Sequence, residues 1–194
     1  MIRKKLKVKR YLNQSGFTLL ELLTVIGMLL VLTTFVTPVI GKWRTEKNIE
    51  KDFYALVSAI NYLKSKAQVV NGTGYFNCNA SRSAIYSVSG FAQTSVTSKH
   101  ANFDANIIEQ KSENILSGKT YFDCGGGSGG VGTILFFLQN GKATPWIGEI
   151  SYDPEPGIPD KVNYSAYQIR LNNATGFVQQ FKWNKKSESW TELR

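Results

Sequence analysis

Residues 17–40 read FTLLELLTVIGMLLVLTTFVTPVI, a stretch in which Glu21 is the only charged side chain. A helix of this length would rise roughly 36 Å, which is enough to cross a hydrocarbon core of about 30 Å. The stretch therefore predicts a membrane-spanning helix. Because it is long and no small-residue cleavage site closes it, an uncleaved anchor fits better than a removed secretory signal.

The segment before this stretch, residues 1–16, is strongly basic and contains no acidic side chain. Its six positive residues are Arg3, Lys4, Lys5, Lys7, Lys9 and Arg10. Removing them would lower the formal net charge of the chain from +9 to +3, so the remainder is only mildly basic. Positive charge ahead of an apolar run predicts a cytoplasmic N-terminus, with everything beyond Lys42 on the other side of the membrane.

The junction between the two segments has a distinctive order of residues. Gly16 ends the basic segment, Phe17 follows it, and Glu21 comes four residues after Phe17. An ionised carboxylate near the start of a membrane span costs about 2.5–3.5 kcal/mol without a partner, so its presence suggests a function. This arrangement closely resembles the class III leader of type IV prepilins and type II secretion pseudopilins.

The resemblance implies roles for three residues. A prepilin peptidase would cut between Gly16 and Phe17 and methylate the new N-terminal Phe17, and Glu21 would offset the positive amine of Phe17 in its own or a neighbouring subunit. The partners implied are that peptidase, other pilins or pseudopilins in a helical fibre or tip complex, and an inner-membrane assembly platform. The sequences of residues 52–71 and 133–144 resemble those of the H-type pseudopilin and FimT-like minor pilin branch of this family.

Helical character is predicted to continue beyond the apolar stretch. Apolar residues at intervals of three and four form one stripe on a helix face, and its members are Ile49, Phe53, Leu56, Ile60, Leu63, Ala67 and Val70. Charged residues flank the start of this stripe. Gly72 and Gly74 predict that the helix ends just before them. We expect the stripe to pack on a sheet, because too few heptads are present for a coiled coil.

The region after residue 72 predicts antiparallel strands. Alternating β-branched and aromatic blocks between turn residues occur at 84–88, 133–138, 166–171 and 177–183. The expected fold class is α+β, with a long N-terminal helix, made of a membrane half and an amphipathic half, packed on a small antiparallel β-sheet domain as in pilins. The predicted segments are the cleaved leader 1–16, the transmembrane and assembly helix 17–41, its amphipathic continuation 42–71 and the β-rich domain 72–194.

The two cysteines of the chain, Cys78 and Cys124, both fall in the region that is predicted to lie outside the cytoplasm, where disulfides persist. We expect them to pair and to stabilise the domain by about 4 kcal/mol on the chain-entropy model. Two unpaired buried cysteines are the alternative.

No pattern indicates an enzyme, a cofactor or a metal site. His100 is the only histidine and lies in a polar context without a nucleophile pattern nearby, and Gly118-Lys119-Thr120 lacks the earlier glycine of a phosphate-binding loop. The carboxylates Asp153, Glu155 and Asp160 lack the spacing of a calcium loop, so a solvated proline-rich loop is expected there.

A second candidate surface lies near the C-terminus, where basic and aromatic residues that could contact nucleic acid come together: Lys182, Trp183, Lys185 and Lys186. FimT-like relatives can carry arginines after the hairpin glycine for DNA uptake. Here Phe177, Val178 and Gln179 follow Gly176 instead. A hairpin with a solvated lysine face and a buried tryptophan is therefore favoured over a nucleic-acid site.

The sequence thus predicts a structural minor pilin or pseudopilin of a type IV pilus or type II secretion pseudopilus, held in the inner membrane by one span with its C-terminal domain outside the cytoplasm. A DNA-binding minor pilin of a competence pilus, a major pilin and a membrane-anchored adhesin are the alternatives. The sequence does not distinguish between the machines.

Overall fold

The computed structural model describes residues 17–78, 84–93, 100–113, 116, 120–123, 134–155 and 158–193. Within these ranges it describes the backbone alone at 34–38, 78, 84–85, 112–113 and 134–136. The chain divides into two compact units, Met1–Gly41 and Lys42–Arg194.

The main helix, α1, runs from Leu19 to Val69 and contains 51 residues. It ends in a left-handed cap: Asn71 has a φ of 52°, and the Gly72 N–H donates to the Ala67 carbonyl oxygen at 2.9 Å. A Cβ on Gly72 would overlap the carbonyl oxygen of Ser89, so this glycine serves close packing while Asn71 takes the left-handed conformation.

The part of α1 that belongs to the second unit buries one face. The predicted stripe is almost completely inaccessible to solvent at Ile49, Phe53, Leu56, Ile60, Leu63 and Ala67. Val70, its last predicted member, is only partly buried against this core. The spacing in the sequence therefore correctly indicated the buried face of this part of the helix.

Nine strands and a short helix follow α1 in the described residues. The strands are β1 Thr73–Cys78, β2 Ala84–Ser89, β3 Ile107–Glu113, β4 Thr120–Asp123, β5 Ile134–Phe137, β6 Trp146–Tyr152, β7 Tyr167–Leu171, β8 Val178–Asn184 and β9 Ser189–Glu192, and helix α2 is Asn102–Ala105. One sheet has the order β3-β2-β1-β5 and the other the order β4-β6-β7-β8-β9. All pairings are antiparallel.

The core of the second unit forms where the stripe of α1 meets both sheets. Phe53 of α1 stacks on Tyr167 of β7 with ring centroids 4.7 Å apart. Phe76 of β1 meets Trp146 of β6 edge to face at 6.4 Å, which links the two sheets through aromatic rings. Each sheet thus supplies buried side chains to one shared apolar cluster.

Two loops pack on each other beside α1. Gly141 and Gly176 have φ values of 81° and 59°, and a Cβ on Gly176 would overlap the Gly141 carbonyl oxygen. The Lys64 ammonium of α1 donates to the carbonyl oxygens of Thr175 and Gly176 at 3.1 and 3.0 Å. The Lys64 side chain therefore holds the turn that contains Gly176 against α1.

The predicted fold class was wrong. It described a half-membrane, half-amphipathic helix on one small sheet, whereas two antiparallel sheets with nine strands make up most of the described chain after residue 72. The sequence pattern did not predict all of these strands. Strand β3 is polar and largely exposed and β9 has only four residues, so neither shows clear apolar alternation.

The predicted single-pass anchor in the inner membrane was also wrong. In the described residues, no helix combines the length and the apolar character that crossing a membrane requires.

Candidate assembly surface

The first turn of α1 is built around Thr18 and Glu21. The Glu21 N–H donates to Thr18 Oγ1 at 3.2 Å, while the Leu22 N–H donates to the Thr18 carbonyl oxygen at 3.1 Å. Thr18 is therefore the N-cap, and Glu21 occupies the third helical position, where a carboxylate favourably meets the positive end of the helix dipole. The T-x-x-E pattern at residues 18–21 is a sequence signal for this cap.

The large apolar side chains that the structure describes in the first unit are exposed. Phe17 is the most exposed at 82% and Ile40 the least at 42%, and between them lie Leu19, Leu20, Leu22, Leu23, Val25, Ile26, Met28, Leu29, Leu30, Val31, Leu32 and Val39. We call these fourteen side chains the apolar surface. A contiguous exposed surface of this kind indicates an interaction site.

The apolar surface surrounds the helix and is not confined to a stripe. Leu29, Leu30, Val31 and Leu32 are consecutive, and consecutive residues on an α-helix point about 100° apart. All four are at least 55% exposed. One neighbouring element would cover only one side of such a helix, so covering all of it needs several neighbours.

The hydroxyl groups of Thr24 and Thr33 are satisfied by the helix itself. Thr24 Oγ1 donates to the Glu21 carbonyl oxygen at 2.8 Å, and Thr33 Oγ1 donates to the Leu30 carbonyl oxygen at 2.8 Å. These polar groups can leave water without losing a hydrogen-bond partner. The segment can therefore be buried at little cost except at the Glu21 carboxylate, for which the described residues provide no hydrogen bond or ion pair.

Of the two residues predicted to flank the peptidase cut, Phe17 is described and exposed, and Gly16 lies outside the described residues. The predicted disulfide also falls outside them. The backbone of Cys78 ends β1, but neither its side chain nor any part of Cys124 is described. Both predictions remain open.

The structure separates the residues of the predicted nucleic-acid surface. Lys182 and Trp183 are neighbours in β8, so their side chains lie on opposite faces of the sheet. The Lys182 ammonium lies 5.5 Å from the centre of the Tyr167 ring, on the core side. Lys185 lies in the β8–β9 turn and reaches Glu46 of α1 at 3.7 Å, while Lys186 is exposed in the same turn.

Trp183 has other neighbours. It is paired across the strands with Trp190 of β9, and the ring centroids are 5.2 Å apart. The Lys161 ammonium lies 5.7 and 5.6 Å from the two ring centres and forms an ion pair of 2.5 Å with Glu149. These contacts stabilise a mixed polar and aromatic sheet face and leave no stack of bare rings beside the lysines.

Two other residues considered in the sequence have structural contacts. His100 Nδ1 accepts a hydrogen bond from the Asn102 N–H at 3.1 Å, and the His100 ring stacks on Phe91 at 4.8 Å. The backbone and side-chain amides of Asn163 donate to Asp160 and hold the pKa of that carboxyl below its ordinary value. Within the described ranges, no group of three or more His, Cys, Asp and Glu side chains is arranged to hold a metal ion.

Sequence reasoning missed Lys64 as a structural residue. Its partners, Thr175 and Gly176, lie 111 and 112 positions away in the chain, and no local pattern indicates such a contact. Comparison of the chain with protein-family models, with curated proteins and with solved structures found no match.

Proposed function

We propose that this protein is a structural subunit of a helical protein fibre, of the minor pilin or pseudopilin kind, and that the apolar surface of α1 is its assembly element. The proposal includes cleavage between Gly16 and Phe17 by a prepilin peptidase and N-methylation of Phe17. Its partners are that peptidase, further pilin-like subunits and an assembly platform. The protein has no catalytic role in this proposal.

The observation that carries the proposal is the exposure of apolar side chains on all sides of the helix. Each Leu, Ile, Val or Met side chain that leaves water gains about 1.5–3 kcal/mol, so the apolar surface favours association strongly. A dimer contact would bury one side and leave the other in water. A bundle of helices from several copies, as in the core of a fibre, buries all sides at once.

The hydroxyl bonds within the helix support the same proposal. Thr24 and Thr33 donate to carbonyl oxygens of their own helix, so a dry interface between helices leaves neither hydroxyl without a partner. The second unit has its own core and does not depend on the apolar surface for burial of its stripe residues. Assembly through the first unit therefore leaves the second unit folded.

The test uses two substitutions on opposite sides of the helix, Leu30→Asn and Leu32→Asn, whose positions differ by about 160°. The control is Val162→Asn, because Val162 is equally apolar and is exposed in the second unit. The measurement is the fraction of the full-length protein that sediments as high-mass assemblies from the producing cells. We expect each helix substitution to lower this fraction about tenfold or more and the control to leave it unchanged.

A reduction by only one of the two helix substitutions would indicate a one-sided contact and overturn the fibre. Normal sedimentation of both would overturn the proposed assembly surface. Mass spectrometry of the N-terminal peptide in the same preparations reports processing: a peptide beginning with methylated Phe17 is expected, and an intact N-terminus in peptidase-competent cells would contradict the leader proposal.

A further inference from the structure

We propose that Gly27 is the point of closest approach between neighbouring copies, where the α1 helix of a second copy packs directly against the α1 backbone of the first. This contact, which rests on the proposed function, sets the distance between neighbouring helices. It involves only the first unit of each copy.

The chain itself gives no reason for a glycine at position 27. Gly27 lies inside α1, where glycine is less favourable than any residue except proline, and its φ is outside the left-handed region. A Cβ built on Gly27 has no atom within 4 Å, whereas a Cβ on Gly72 or Gly74 would overlap the Ser89 carbonyl oxygen or the Leu63 side chain. A close contact from outside the chain would explain Gly27 as these internal contacts explain the other two.

The residues around Gly27 leave an apolar notch on the helix. The four that lie one turn away on the same face are Leu23, Thr24, Leu30 and Val31. The three aliphatic side chains are at least 60% exposed, and the Thr24 hydroxyl donates to its own helix. A side chain of another helix can therefore enter the notch without meeting a hydroxyl donor that lacks a partner.

A second copy of the same helix fits this notch. Packed helices lie about 8–10 Å apart according to the size of the side chains between them, and a glycine permits the shorter distance. The first unit of another copy offers large apolar side chains on every side. In the described part of the second unit, exposed large apolar side chains are separated from one another along the chain, so it offers no comparable surface.

The experiment enlarges residue 27 in the full-length protein. Gly27→Ala and Gly27→Leu are made, and the sedimenting fraction is measured as above. Without a close contact, both variants should assemble at least as well as the unmodified protein, because they favour the helix and add apolar area. With the close contact, we expect Gly27→Ala to lower the fraction about threefold and Gly27→Leu about tenfold or more, because the added carbons push the helices apart.

The matched control is Gly41→Ala. Gly41 also lies in α1 with no atom within 4 Å of an added Cβ, but it follows Ile40, the last side chain of the apolar surface. This variant should leave the sedimenting fraction unchanged. An equal loss in Gly41→Ala would indicate a general effect of helix stiffness and overturn the contact.

Two further results would overturn the contact. The first is a sedimenting fraction that is unchanged or raised in both Gly27 variants. The second is a loss in Gly27→Leu alone, since it would show that a methyl group fits between the helices. Melting temperatures and N-terminal masses of all variants separate defects in folding or processing from defects in assembly, and the melting temperatures of the Gly27 variants should not fall.

The variants of the apolar surface separate this contact from the fibre itself. Reduced assembly of Leu30→Asn and Leu32→Asn with normal assembly of Gly27→Leu would leave the fibre standing and remove the close contact. Normal assembly of all three variants would remove both proposals.

Discussion

The two halves of α1 differ in whether their apolar side chains are buried. From Ile49 to Ala67 the apolar residues form a stripe, and this stripe lies in the core of the second unit. The described apolar side chains from Leu19 to Leu32, together with Val39 and Ile40, point to all sides of the helix and remain exposed. The width of an apolar face therefore indicates where its packing partners come from. A stripe needs only one packed layer of the same chain, whereas a full circumference requires several neighbours.

The largest expected difference between the halves is in folding stability. Phe53→Ala should lower the free energy of unfolding by about 3–5 kcal/mol, because Phe53 is fully buried and stacks on Tyr167. Leu23→Ala, on the exposed half, should change it by less than about 0.5 kcal/mol. Denaturant unfolding of the full-length protein followed by tryptophan fluorescence measures both, and similar losses in the two variants would remove the distinction between the halves.

A pair of glycines gives the next largest effect. Gly176→Ala should destabilise the protein by about 1–3 kcal/mol or more, because the residue has a positive φ and its Cβ would meet the Gly141 carbonyl oxygen. Gly27→Ala has no atom within 4 Å of the new methyl group and should raise helix stability by up to about 1 kcal/mol. Thermal melts followed by circular dichroism should shift in opposite directions, and a shift in the same direction would contradict the packing of the two loops.

The smallest effect is expected only at high pH. Burial, with smaller contributions from Glu50, Glu46 and Tyr54, raises the pKa of Tyr167 to about 12. Because this pKa lies above the unfolded value of about 10, the stability that the neutral phenol contributes is complete below pH 10 and is lost as the pH rises toward 12. The free energy of unfolding of Tyr167→Phe should therefore fall less across this pH window than that of the unmodified protein.

The control for this titration is Tyr54→Phe, since Tyr54 is exposed on α1. Absorbance of tyrosinate against pH should show a late-titrating component, to which Tyr121 and Tyr164 also contribute because burial raises their pKa values, and this component should shrink in Tyr167→Phe but not in Tyr54→Phe. A late component of unchanged size in Tyr167→Phe would show that the contact between α1 and β7 is looser than the structure indicates.

The sequence predicted features that depend on local spacing. The stripe of α1 follows from apolar intervals of three and four, and the hairpin from β7 to β8 follows from the turn residues between Asn172 and Gly176. The Asn172 side chain accepts the N–H groups of Ala174 and Thr175, which is the local bond that favours asparagine at such a turn. These signals are independent of distant contacts, so a single sequence carries them.

Features that depend on distant contacts were not predictable in the same way. The polar strand β3 is stabilised partly through Glu109, which accepts a hydrogen bond from Tyr62 of α1 at 2.7 Å and pairs with Lys66 at 3.4 Å. Nothing in the segment around Glu109 indicates these partners. The number of strands and the division into two sheets were therefore underestimated, although the individual strands at 84–88 and 166–171 were placed correctly.

The sequence indicated residues of the candidate site but not the hydrogen bonds of the first helical turn. The assembly role of Glu21 stays a prediction from the sequence, and the structure adds the N-cap that Thr18 forms in the same turn. Glu21 thus has a favourable position in the helix whether or not it has a partner in another copy. A substitution at Glu21 must therefore be judged against helix stability as well as assembly.

The hydroxyl groups of Thr24 and Thr33 have a mechanical consequence. Both donate their one hydroxyl proton to their own helix, so neither is available to donate a hydrogen bond to a neighbouring subunit. Contacts between neighbouring helices at these two positions would then depend mainly on dispersion between apolar side chains, which has no preferred direction. A fibre built on this segment would therefore resist sliding of its subunits through the close fit of branched side chains, since even a small gap between two packed atoms loses much of their attraction.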